Sequence, residues 1–312
     1  MSDYNVIAGL KIKYLSADPS NPESGQVWYN SATSKLRAGG ILGVGSWSSG
    51  GTMGTARRIL GRAGTVPAGL AVGGIGPSGS TSNLTEEYNG SAWTGGGNMS
   101  TGLYGFASDG SQTASYAAAG ADGAQSGSQE YDGSSWTAGN SINSGRRYPV
   151  GTGTQTAGLI FGGVSSSATE TYNGSTWSSV GSMNTARAEF AGAGTQTATV
   201  GFGGYPGTAS EDWNGSAWTN GNNLSYSVPA NAGAGIQTAA ISIGGGPGLA
   251  TTAVYDGTNW SSNPSLATGR SSAGGAGSSS SDSMIFGGNQ PGITGVTEEF
   301  LVPVGTANIS SS

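Results

Sequence analysis

Short runs of alternating apolar and polar residues, closed by glycine, asparagine or aspartate, fill most of this chain. Period-two alternation with such punctuation predicts β-strands joined by turns. The clearest instance is Ala168-Thr-Glu-Thr-Tyr-Asn-Gly-Ser-Thr-Trp177, where an alternating run ends in an aromatic, Asn-Gly follows, and a tryptophan opens the next run. Asn-Gly accepts positive φ angles, so the stretch predicts a β-hairpin with a tight type I′ turn. The cassette recurs as Tyr88-Asn-Gly-Ser-Ala-Trp93, Tyr131-Asp-Gly-Ser-Ser-Trp136, Trp213-Asn-Gly-Ser-Ala-Trp218 and Tyr255-Asp-Gly-Thr-Asn-Trp260.

Tryptophans at 47, 93, 136, 177, 218 and 260 give spacings of 46, 43, 41, 41 and 42 residues. A period in the low forties that holds several short strands predicts a β-propeller blade. Residues 187–221 display one period. A Gly/Ala-rich strand leads to a turn at Thr195-Gln-Thr197, and a second strand closes on Gly203-Gly204. After a variable loop come the strand Ser210–Trp213 and the hairpin to Trp218, which makes four strands. Small side chains in the first strand let its copies crowd around an axis, which predicts a narrow channel. Trp47 has no first three strands before it, and Glu298-Glu-Phe300 has no fourth after it. The strand around residues 45–49 is therefore expected to complete the last copy, which would remove two exposed sheet edges.

Residues before Trp47 do not follow the repeat. Ile7 to Tyr14 predicts one strand, and Gln26–Tyr29 with Lys35–Arg37 predicts a hairpin around residues 30–34.

Composition narrows the chemistry. Of 312 residues 60 are Gly and only 9% are charged, a bias that suggests disorder, but 8 Trp, 12 Tyr and 6 Phe at regular intervals point to a turn-dense β protein. There is no Cys and no His, which removes disulfides, thiolate chemistry and the commonest metal ligand and general base. A net charge of -6 argues against a phosphate-binding surface, so no nucleic acid is expected. No apolar run approaches a membrane span, and the N-terminus lacks a secretory pattern. No metal and no cofactor is expected.

An Arg before the first strand, Gly-Gly after the second, Tyr ending the third and Trp on the fourth resemble the Kelch repeat, over roughly residues 47–300. The resemblance implies an all-β fold: a six-bladed β-propeller of four-stranded blades, closed by an N-terminal strand that completes the C-terminal blade. The expected domains are an attachment segment at 1–44, the propeller at 45–301 and a C-terminal tail at 302–312. Some Kelch-type propellers are copper oxidases resembling galactose oxidase, whose site needs histidines and a cysteine-crosslinked tyrosine, and this chain has neither residue type.

Ten residues after each tryptophan stand Arg57, Leu103, Arg146, Arg187, Val228 and Arg270. Two before each third-strand aromatic stand Glu86, Gln129, Glu170, Glu211, Ala253 and Glu298. Within each copy Arg and Glu are present together or lost together. An unpaired buried charge is costly, so joint loss predicts four salt bridges: Arg57–Glu86, Arg146–Glu170, Arg187–Glu211 and Arg270–Glu298. The other reading of these arginines is an anionic ligand.

Strand alternation puts the uniform turns, Gln-Thr-Ala and Asn/Asp-Gly, on one face and loops of variable length on the other. Recognition belongs to loops freed from scaffold duty, so Tyr205, Tyr226, Asn289 and Gln290 on the variable face are the candidate binding residues. Asp109, Asp122, Asp256 and Asp282 have no repeat-wide explanation and are the candidates for a carboxylate pair in glycoside hydrolysis.

Near the N-terminus, Glu23-Ser-Gly-Gln-Val-Trp-Tyr-Asn-Ser-Ala-Thr-Ser-Lys-Leu-Arg37 resembles a segment of phage fibre and other virion proteins, with Ser34 where a Gly is usual. The resemblance implies attachment to other virion proteins through residues 1–46, with Trp28, Tyr29, Lys35 and Arg37 as candidate contacts. The leading expectation is a non-enzymatic virion protein of a bacteriophage (tail-fibre, tail or capsid-surface component), multi-copy or homo-oligomeric, assembled in the host cytoplasm. Its propeller would serve structure or adhesion to a host-surface glycan or protein. The alternatives are a bacterial-surface Kelch-type binding module and a polysaccharide-degrading propeller enzyme.

Overall fold

The structure, a computed structural model, describes residues 4–7, 10–19, 26–41, 45–121, 123–205 and 207–308. Among them the chain is all β, with no helix. It divides into two units, Met1–Ser46 with Leu301–Ser312, and Trp47–Phe300.

The first unit opens with β1 (Tyr4–Ile7), β2 (Leu10–Leu15), β3 (Val27–Asn30) and β4 (Lys35–Ile41). What the sequence pattern presents as one strand is two, β1 and β2, paired antiparallel. β2 then runs parallel to β3, and β3 pairs antiparallel with β4.

The second unit begins with β5 (Ser46–Ser49) and holds six four-stranded, blade-like sheets. Sheet one is β6 (Gly61–Thr65), β7 (Ala68–Val72), β8 (Thr85–Tyr88) and β9 (Trp93–Gly95). Sheet two is β10 (Ala107–Ser111), β11 (Ala114–Ala118), β12 (Ser128–Tyr131) and β13 (Trp136–Gly139). Sheet three is β14 (Val150–Thr154), β15 (Ala157–Phe161), β16 (Thr169–Tyr172) and β17 (Trp177–Val180). Sheet four is β18 (Ala191–Gly194), β19 (Thr199–Phe202), β20 (Ser210–Trp213) and β21 (Trp218–Asn220). Sheet five is β22 (Ala232–Ile236), β23 (Ala239–Ile243), β24 (Thr252–Tyr255) and β25 (Trp260–Asn263). Sheet six takes β26 (Gly274–Ser279) and β27 (Asp282–Phe286), then, after the small hairpin β28 (Asn289–Gln290) and β29 (Gly292–Ile293), β30 (Thr297–Leu301), with β5 on its outer edge. Residues 302–312, read from the sequence as a tail, supply β31 (Val304–Asn308), which pairs antiparallel with β4 and so belongs to the first unit's sheet.

The first strands follow one another: β6 lies against β10, β10 against β14, β14 against β18, β18 against β22, β22 against β26, and β26 against β6. Their small side chains permit this. At Gly235 the φ is +97°, and a Cβ would fall 2.3 Å from the Ala239 carbonyl oxygen, so only glycine fits. The apolar clusters lie between successive sheets. Leu70 and Val72 of sheet one meet Phe106 and Trp136 of sheet two, and Met284 and Phe286 of sheet six meet Ala71 and Tyr88 of sheet one.

The third-to-fourth-strand hairpins differ from a type I′ turn. Tyr172 pairs directly with Trp177, so four residues form the loop, and only Gly174 has positive φ. Asn173 Oδ1 instead accepts the N–H groups of Ser175 (3.0 Å) and Thr176 (2.8 Å). The side chain thus takes over the turn's hydrogen bonding, an Asx turn.

Side chains also tie each sheet to its predecessor. The third-strand tyrosine hydroxyl donates to an acid of the preceding sheet: Tyr131 to Glu87 (2.5 Å), Tyr172 to Glu130, Tyr255 to Asp212 (3.0 Å) and Tyr88 to Glu299. In sheets four and six the aromatic is Trp213 and Phe300, and the matching position of the preceding sheet is Thr171 and Val254, so hydroxyl and acid are absent together. Turn glutamines do the same from the uniform face. Gln155 Nε2, for example, donates to the carbonyls of Ser115 (3.2 Å) and Tyr131 (2.8 Å).

Candidate functional site

The four Arg–Glu pairs belong to the scaffold. Arg57 Nη2 lies 2.9 Å from Glu86 Oε1 and Arg187 Nη2 2.8 Å from Glu211 Oε1, with Arg146–Glu170 and Arg270–Glu298 paired in the same way. All eight residues are buried. The second guanidinium nitrogen caps strand ends, as where Arg187 Nη1 reaches Ala209 O at 2.6 Å. Each carboxylate also holds the loop before its arginine, as where Glu211 accepts the N–H of Asn184 (2.7 Å) and Thr185 (3.2 Å). In sheet two Gln129 holds the corresponding loop through Ser100, while in sheet five Val228 and Ala253 join an apolar cluster.

The arrangement that faces outward lies where the first strands begin, on the variable-loop side. Immediately before these strands, Ile59, Gly105, Tyr148, Glu189, Ala230 and Ser272 all have φ between 53° and 57°. Five backbone hydrogen bonds chain them: Gly105 N to Ile59 O (3.2 Å), Tyr148 N to Gly105 O (2.8 Å), Ala230 N to Glu189 O (2.6 Å), Ser272 N to Ala230 O (2.8 Å) and Ile59 N to Ser272 O (2.7 Å). Left-handed backbone is unfavourable for all but glycine, and non-glycine residues hold it only where their surroundings over-determine it.

This chain of residues frames a depression of about 680 Å³, bordered by Arg58, Tyr104, Tyr148, Glu189 and Tyr205 among others. Tyr104 and Tyr148 meet edge to face with centroids 6.4 Å apart. Tyr205 is 61% exposed, and its N–H donates to Ala188 O at 3.0 Å, which ties its loop to the rim. Burial raises the Tyr148 phenol above its ordinary range, with Tyr104 and Glu189 adding to the rise and Arg147 and Arg58 opposing it. Below the rim, a cavity of about 120 Å³ is lined by Leu60, Phe106 and Phe190, and another of about 110 Å³ by residues of five first strands and by Ala273, just before the sixth. In the deeper one Arg62 of sheet one reaches Gly192 O of sheet four at 2.8 Å.

Of the sequence candidates, Tyr205 stands at this mouth. Tyr226 is half-buried against the cluster of Leu224 and Val228 and belongs to the core packing. Asn289 has an exposed side chain and Gln290 a half-buried one. The Asn289 backbone is bridged to Ser271, which borders the depression. Arg58, Tyr104, Tyr148 and Glu189 were missed. Their sequence signal is that the columns just after the repeat arginine vary while both flanks repeat.

Asp109, on β10, accepts the N–H of Gly110 (2.9 Å) and of Gly153 (3.1 Å), and burial pushes its carboxyl up to about 6 against the pull of Arg62. Asp256 closes an Asx turn on the N–H of Thr258 and Asn259, Asp282 accepts the Ser278 hydroxyl, and Asp122 lies outside the described residues. No family model matches this chain, and no curated protein matches its sequence. Among the described residues no three His, Cys, Asp or Glu side chains converge to hold a metal, and no helix is long and apolar enough to cross a membrane.

In the first unit, Asp18 is a hub. Its carboxylate accepts from Trp28 Nε1 (3.0 Å), Asn30 Nδ2 (2.7 Å) and Arg37 Nε (3.1 Å), with Arg37 also ion-paired to it. Trp28 is fully buried, Tyr29 packs on Tyr14 at 4.7 Å, and Lys35 is exposed.

Proposed function

We propose that the six sheets are the blades of a closed six-bladed propeller of the Kelch type. We further propose that the chain is a non-enzymatic virion protein of a bacteriophage, a tail-fibre, tail or capsid-surface component. The second unit is the outward module, used for structure or for adhesion to a host-surface glycan or protein. The first unit docks, in several copies, onto other virion proteins after synthesis in the host cytoplasm.

Closure is supported by the return of β26 to β6, and by the ties that repeat between sheets six and one. Tyr88 donates to Glu299, and Trp93 Nε1 donates to Thr297 Oγ1 at 2.9 Å, as Trp136 does to Thr85 and Trp218 to Thr169. A closed ring hides the sheet edges that would otherwise recruit other chains.

The virion reading is carried by one observation. The described part of the virion-like stretch, Gln26 to Arg37, forms the β3–β4 hairpin of a compact unit distinct from the six sheets, and that unit gathers segments from both ends of the sequence. Such a division suits an attachment module coupled to a displayed one. The test is mass spectrometry of particles purified from a culture of the strain that carries the gene. The chain is expected among the particle proteins, and its absence from every virus-sized fraction sinks the reading.

A further inference from the structure

We infer that the mouth bordered by Tyr104, Tyr148, Tyr205, Arg58 and Glu189 takes an uncharged pyranose unit of a surface polysaccharide, an inference that rests on the adhesion reading above. Its volume of about 680 Å³ falls within the roughly 300–1,000 Å³ of small-molecule pockets.

The lining matches a sugar in both of its characters. A pyranose has an apolar face of C–H groups and a rim of hydroxyls. Tyrosine rings offer apolar faces with a polar tip, and three of them border this depression. Arg58 supplies only donors and Glu189 only acceptors, which is the pairing that a row of hydroxyls satisfies. Neither side chain has an ion-pair or hydrogen-bond partner within the chain among the described residues, and Arg58 Nε is buried without any acceptor. The lack of an ion-pair partner, rather than the bare Nε that Arg57, Arg187 and Arg270 share, sets Arg58 apart from the four scaffold arginines, whose glutamates are built in. One cation and one anion leave the mouth without net charge, so it has no preference for an acidic sugar.

The backbone supports the same reading. Tyr148 and Glu189 occupy left-handed positions where glycine, as at Gly105, would fit with less strain. Strained positions of this kind cluster at active sites and ligand clamps, and here they hold both side chains at the rim of the depression. Below them, the apolar layer of Leu60, Phe106 and Phe190 and the crossing Arg62 make the depression a floor-backed pocket.

The experiment titrates the full chain by calorimetry with maltotriose, with N,N′,N″-triacetylchitotriose and with trigalacturonate. At least one uncharged trisaccharide is expected to bind, and about tenfold more tightly than trigalacturonate. Tyr104→Ala, Tyr148→Ala and Glu189→Gln should each weaken that binding about tenfold, with melting temperatures showing which variants remain folded. Tyr226→Phe, away from the mouth, should leave binding unchanged. The inference is overturned if neither uncharged sugar binds, if trigalacturonate binds best, or if the folded mouth variants bind like the parent. A chain found in particles that ignores all three sugars loses this site alone. A chain that binds sugar yet never enters particles loses the virion reading alone.

Discussion

The phenolic hydroxyl of Tyr88, in sheet one, donates a hydrogen bond to the Glu299 carboxylate of sheet six, 211 residues away. The same oxygen accepts the N–H of Gly51 at 3.2 Å, so one side chain joins the loop that follows β5 to two sheets. Tyr88→Phe removes the donor and leaves the Glu299 carboxylate and the Gly51 amide short of a partner. A hydrogen bond to a charged group contributes about 1.5–3 kcal/mol, and a loss of that order is expected in urea denaturation. An unchanged midpoint would mean that the tie contributes nothing to holding the sheets together.

The buried pairs give a sharper contrast, because the molecule contains its own apolar version of one. Arg187→Met leaves Glu211 buried without its cation and should destabilise by about 3–5 kcal/mol. Arg187→Val with Glu211→Ala reproduces the Val228 and Ala253 combination of sheet five and should cost less than Arg187→Met alone. A double variant less stable than the single would contradict this account.

In the first unit, Asp18 is held well below the usual carboxylate range, chiefly by Arg37 and then by Asn30 and Trp28. A depressed folded-state value means that its contribution is complete above the ordinary carboxylate range and is lost as pH falls through the depressed one. Asp18→Asn should abolish that acid dependence and perturb the environment of the buried Trp28. Tryptophan fluorescence followed from pH 5 downward compares the two. Identical acid profiles would exclude the hub.

Asp109 carries the opposite sign. With its carboxyl raised to about 6 by burial, the ionised form is disfavoured in the folded state. Its destabilising effect therefore grows as pH rises from the unfolded value near 4 to about 6, and is constant above that. Asp109→Asn keeps an acceptor for Gly153 N and should be more stable than the parent at pH 8 and similar at pH 4. Melting temperatures at the two pH values decide it.

What the sequence made legible follows from where repetition was visible. Arg187 and Glu211 lie within one copy, so their joint replacement by Val228 and Ala253 in the next could be seen by reading down two columns. The tyrosine–acid ties leave the same trace at Trp213 with Thr171 and at Phe300 with Val254, but their partners lie in neighbouring copies, and no comparison within a copy finds them. The mouth was harder still. Nothing in the identity of Ile59 or Tyr148 announces a φ near +53°, because the backbone bonds that accompany it run to neighbouring copies. The strand Val304–Asn308 was read as a tail because its partner β4 lies more than 250 residues earlier, beyond any local pattern. The hairpins were placed correctly with the wrong turn, since Asn favours both the positive φ of a type I′ turn and the Asx geometry it adopts at Asn173.

The tyrosine–acid and turn-glutamine ties run from one sheet to its predecessor, so an added copy would find donors and acceptors waiting on both sides. The interfaces by themselves set no copy number. Arg62 does, in the closed arrangement proposed above. It crosses from sheet one to Gly192 of sheet four, three copies away, and its guanidinium meets that carbonyl at 2.8 Å. A seventh copy would widen the lumen and carry the carbonyl beyond the arginine's reach, so one side chain acts as the gauge against which the repeat is counted.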